Sequence, residues 1–179
     1  MIKAEFTDDM KQILASMKGA HFKSYECAID SHNHIYCNFR INTDKCSIEI
    51  KNENQVFPFF DDKEEMACFS CKITSEPFKP TEITSSTVFS VKEIINSVEI
   101  LNDVIDVNNG MYQVSFDNAL IIRTNSTTYM FAKDVWFSEI ITVRKDDNYD
   151  QVISKQEIID SWSNEGDFSV DIHRTVKKL

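Results

Sequence analysis

Glycine is scarce in this chain: Gly19, Gly110 and Gly166 are the only three among 179 residues, and each stands alone. A loop that cradles phosphate needs clustered glycines to bring backbone amides close to the anion. Neither the dinucleotide fingerprint nor the phosphate-binding loop can therefore be written from it. No GxSxG and no HExxH occurs, so the nucleophile elbow and the common zinc-protease helix are missing as well. No apolar run approaches the roughly 20 residues that a membrane-spanning helix needs. The amino-terminal stretch MIKAEFTDDMKQ is charged where a signal peptide would be apolar.

Positive charge is also in deficit. Lys and Arg number 19 against 29 Asp and Glu, for a net charge of -10. Such a chain repels nucleic-acid backbones and anionic membranes on average and attracts basic partners, so neither nucleic acid nor membrane is an expected partner. The basic pairs Arg144–Lys145 and Lys177–Lys178 are not interleaved with aromatics and read as solvated patches. The five cysteines are odd in number and follow no framework. That argues against a disulfide scaffold and for reduced thiols in a cytoplasmic protein.

What is present is apolar mass. The chain is 42% hydrophobic with 13 Phe, enough to fold around a core without metal or disulfide help. One compact domain over 1–179 is expected. Pro77 and Pro80 enclose the best candidate boundary, which would divide the chain into 1–76 and 81–179.

The patterning predicts an α+β protein dominated by strands, with antiparallel meander sheets and a few short packed helices. Thr7, followed by Asp8 and Asp9, opens a helix carrying Met10, Ile13, Leu14 and Met17 on one face. Period-two alternation then runs through Ile35, Cys37, Phe39 and Ile41 and resumes at Cys46, Ile48 and Ile50, a hairpin signal. Val56 to Phe60 is apolar but broken by Pro58, which places it at an edge or bend. Ser90 with Glu93 reads as a capping box for a short helix ending near Val98. Strands are expected around Ile100–Val107, Met111–Phe116, Ala119–Thr124, Thr127–Ala132 and Trp136–Val143. Ser154 with Glu157 opens a helix bearing Ile158, Ile159 and Trp162, and Phe168–Ile172 forms a last strand. Tyr36–Ile50 and Tyr112–Ile122 read alike, each as a hairpin beginning at Tyr, which raises an internal duplication.

The chemistry-bearing residues form weak constellations. Cys68 and Cys71 share CxxC spacing, but alternation sends Cys68 to one face and Phe69, Cys71 and Ile73 to the other, a poor arrangement for zinc or redox work. His32 and His34 would share a strand face and converge on a metal with Asp30, yet Ser31 and Asn33 make the segment turn-like. The acidic run Asp61, Asp62, Glu64 and Glu65 lacks the glycine and spacing of an EF-hand. No cofactor is expected.

The reading that best accommodates these features is an acidic protein-interaction module that binds and neutralises a basic protein, as an immunity protein does, and is not an enzyme. Phe57, Phe59 and Phe60 would anchor the partner, and Asp61, Asp62, Glu64 and Glu65 would steer it. Two alternatives stand beside it: a small metal-assisted or acid–base hydrolase using His32, His34 and Asp30, and a structural protein of oligomer assembly. Oligomeric state is left open by the sequence.

Overall fold

The amino terminus obeys its local signals. Thr7 Oγ1 accepts the Met10 N–H at 3.4 Å, and Asp8 and Asp9 sit in the first turn of helix α1 (Asp8–Ala15), where the helix dipole favours negative charge. A computed structural model describes residues 1–29, 34–59, 62–80, 86–152, 154–163 and 166–179. Its strands are β1 (Ile2–Ala4), β2 (His21–Ile29), β3 (His34–Thr43), β4 (Ser47–Phe59), β5 (Asp62–Ile73), β6 (Thr87–Val107), β7 (Tyr112–Thr124), β8 (Thr128–Lys133), β9 (Ile140–Lys145) and β10 (Val170–Lys178). Helices α2 (Tyr149–Val152) and α3 (Lys155–Ser163) precede β10. The Glu157 N–H donates to Ser154 Oγ at 3.4 Å, as the capping-box spacing predicts.

With 62% strand and 11% helix, the protein is mostly sheet rather than a balanced α+β mixture. The sheet is mixed, because β1 pairs with β7 in parallel whereas the other ladders are antiparallel. Nor is it a plain meander. β2 pairs with β3 and β6, β6 with β7, β7 with β8, β8 with β9, and β9 returns to β3, which closes a six-stranded ring. Closure removes exposed edges that open sheets must protect. The β4–β5 hairpin branches from β3, and β10 adds to the far half of β6.

The segment from Ser90 to Val98, predicted as a helix, is strand. It lies within β6, whose first half pairs with β2 and whose second half pairs with β7. Two bulges explain the misreading. β6 spends three steps from Ser90 to Glu93 where β2 spends two, and two steps from Ile95 to Ser97 where β7 spends one. Each extra residue shifts the alternation. Ile94, Ile95 and Val98 consequently fall at spacings that imitate a helix, and Lys92 takes φ 64° within the first bulge. Three smaller expectations also change. Ile100–Val107 continues the same strand, β9 begins only at Ile140 with Trp136 in the turn before it, and β10 extends well past Ile172. Tyr36–Ile50 spans two strands while Tyr112–Ile122 lies within one, so the proposed likeness between the halves does not hold.

Two apolar clusters occupy opposite faces of the shared strands. Phe22, Phe39, Ile50, Phe69, Leu120, Ile122 and Phe131 belong to the first. Leu101, Ile105, Phe116, Ile121, Met130 and Trp162 belong to the second. The alternation Leu120–Ile121–Ile122 thus assigns successive residues to different cores.

Candidate interaction surface

The β3–β4 ladder stops at Asn38 opposite Lys51, whereas the β4–β5 ladder continues to Phe59 opposite Asp62. The outer half of β4–β5 is therefore a two-stranded arm, and Pro58 is tolerated because β3 no longer needs its N–H. The chain between β8 and β9 clasps this arm. Ala67 donates its N–H to Phe137 O at 3.1 Å and accepts from Lys133 Nζ at 2.5 Å. Asn52 Nδ2 donates to Ser138 O at 2.8 Å, and the Asn54 N–H donates to Glu139 Oε1 at 3.1 Å.

Alternation along the arm separates its two faces. Phe57 is half-buried and packs against the second apolar cluster, while Val56 is 60% exposed. Glu65, also exposed, sits opposite Val56. Pro58 meets Met1 and Ile2 of the amino-terminal strand and Gly110–Gln113 of the β6–β7 turn around a depression of about 290 Å³. Met1 and Met111 are 69% and 68% exposed, more than any other large apolar side chain among the described residues. Gly110 takes φ 93° in that turn, and Asp106 ties the turn down by accepting the Gly110 N–H and Gln113 Nε2. The result is a firmly held apolar patch at one end of the molecule, beside the arm's acidic residues.

The sequence-predicted residues fall out as follows. Phe57 faces the core and Glu65 faces solvent. Phe59, Asp62 and Glu64 lie on the paired backbone of the arm. Phe60, Asp61, Asp30 and His32 lie outside the described residues. His34 opens β3 opposite Thr142 of β9. Among the described residues, no group of three His, Cys, Asp or Glu is arranged to hold a metal. Cys68 and Cys71 point into different clusters, as alternation predicts. Desolvation pushes the Cys71 and Cys27 thiols up to about 12 and raises that of Cys68, the behaviour of inert packed thiols.

Sequence reasoning missed Met1 and Met111, although the Asn108–Asn109–Gly110 turn that presents Met111 was legible. It also missed two buried charged groups. Lys133 is 0% exposed, with its ammonium 5.3 Å from the Phe69 ring centroid and 5.9 Å from that of Phe116. Desolvation pulls its pKa down to about 8, against the opposing influence of Cys68 and Asp117. The signal was available, since Tyr129, Phe131 and Lys133 share one strand face. Arg174 grips Asp103 through Nε and Nη2 at 2.8 and 2.7 Å, and its Nη1 reaches Asp150 at 3.1 Å. Asn118 Nδ2 donates to the same Asp103 carboxylate. Both groups are sealed beneath side chains, where they brace the sheet and offer no opening to a substrate. No known protein family, curated protein or solved structure matches this chain, so its function is argued from this geometry alone.

Proposed function

We propose that the protein is an acidic interaction module whose binding surface is the end formed by the β4–β5 arm, the amino-terminal strand and the β6–β7 turn, and that its partner is a basic protein. The observation that carries this reading is the convergence of Met1, Met111 and Pro58 on one depression beside the acidic arm. Exposed methionines adapt their shape to a partner's surface. A rim of carboxylates on a molecule of net charge -10 steers a basic partner toward them. Phe57 supports the arm from beneath, whereas Val56 and the two methionines face outward. An immunity-like role, in which the module neutralises a basic protein, is one instance of this class.

Stopped-flow association with a captured basic partner tests the steering surface. Changing Asp61, Asp62, Glu64 and Glu65 to Asn or Gln is expected to slow association and flatten its salt dependence, because exposed charges act over about 8 Å at physiological ionic strength. Met111→Ala is expected to hasten dissociation with little change in association. An unchanged association rate and salt slope in the four-carboxylate variant would exclude the arm as the steering surface.

A further inference from the structure

A second surface lies at the opposite end of β6. From Ile95 onward β6 has β7 beside it, but from Thr87 to Ile94 its only ladder partner among the described residues is β2. The first half of β6 is therefore a sheet edge. Other edges of this sheet are blunted in familiar ways. β10 carries Asp171, His173, Lys177 and Lys178, and β5 is covered by α1 and by Phe137. The β6 edge has no such protection over Thr87-Val88-Phe89-Ser90-Val91. That run has no charge and no proline, and Val, Phe and Thr all favour strands. Apolar surface remains on both of its faces. Phe89 and Val91 are only partly buried where they pack against the first cluster, Phe89 stacks on Tyr25 with ring centroids 4.8 Å apart, and Val88 is 60% exposed on the outer face.

We infer that this edge pairs with the same edge of a second copy, antiparallel about a two-fold axis at Phe89. The sequence commits to that occupant because the run is self-complementary in charge. Pairing centred on Phe89 sets Thr87 opposite Val91 and Val88 opposite Ser90 of the other copy. No like charges meet, although each copy carries a net charge of -10. The bulge at Lys92 ends the ladder on one side. Pairing completes the burial of Phe89 and Val91 and satisfies main-chain groups along the edge. It also leaves the arm and its apolar patch free, at the other end of β6.

Sedimentation of the full chain across concentration and salt tests this dimer. The native protein should form a dimer that tightens as salt screens the repulsion between acidic copies. Val88→Lys combined with Ser90→Lys places lysines opposite one another in both symmetry-related pairs and should weaken dimerisation roughly tenfold or more. Val88→Lys combined with Ser90→Glu restores opposite charges in the same register and should recover the dimer. Hydrogen exchange on the native protein supplies a readout independent of the variants, with residues 87–91 gaining protection as concentration rises. A native chain that stays monomeric, a dimer indifferent to the paired lysines, a Lys/Glu variant that folds without recovering the dimer, or protection at 87–91 that ignores concentration would each overturn the inference. So would capture of an extended strand from another protein by a native chain that stays monomeric.

Discussion

Lys133 is the residue whose placement costs most and whose contacts explain why it stays. A fully buried ammonium is expensive, yet its Nζ donates to Ala67 O and it lies within cation–π range of two rings. With the folded pKa pulled down to about 8 from an ordinary 10.5, the unfolded chain binds more protons than the folded one between those values. Stability contributed by this side chain therefore rises with pH from about 8 to 10.5 and is lost as pH falls back through 8. The buried thiols act in the opposite sense, because unfolded cysteines ionise first as pH climbs. A comparison with Lys133→Met separates the two. The native protein should gain on the order of 3 kcal/mol relative to that variant across the interval. Denaturant titrations that give parallel pH curves for the two proteins would refute the assignment.

Among the elements, β6 and β7 carry the most information that propensity cannot supply. Asn118 is the extra residue where β7 takes two steps, from Ala119 to Asp117, against one in β6, from Leu101 to Asn102. That bulge lets Leu120 and Ile122 face one core while Ile121 faces the other. Deleting Asn118 would slip the remainder of β7 by one residue against β6 and exchange those faces. The deletion is expected to abolish the cooperative thermal transition, whereas Asn118→Ala, which loses a hydrogen bond to Asp103 but keeps the register, should unfold cooperatively at a lower temperature. Near-ultraviolet circular dichroism during heating distinguishes them, and a cooperative melt in the deletion variant would show that the bulge does not set the register.

At the scale of the whole molecule, the closed ring ties the chain before Pro77 to the chain after Pro80 through the β2–β6 and β3–β9 ladders. Both tryptophans, Trp136 and Trp162, stack beside the second cluster, while Tyr25 and Tyr129 lie in the first. Tryptophan fluorescence, tyrosine absorbance and far-ultraviolet circular dichroism should consequently report one coincident unfolding transition. Separated midpoints would mean that the two parts, 1–76 and 81–179, unfold as independent units.

Short-range order was written plainly in the chain. Thr7 with its following aspartates and Ser154 with Glu157 started helices where their spacing requires, and Asn-rich joints turned β-hairpins, because those signals act within a few residues. Alternation likewise assigned Cys68 and Cys71 to opposite faces before any partner strand was known. Sequence alone therefore determined a strand-rich, acidic, thiol-bearing chain without the clustered glycines of a nucleotide loop. Tertiary structure decided the rest. Ser90–Glu93 became strand because β2 and β7 supply hydrogen bonds that outweigh a local cap, and two bulges had disguised the period. Ring closure, burial of Lys133, and the meeting of Met1, Pro58 and Met111 depend on pairings between residues far apart in the chain, for which no local pattern carries a signal.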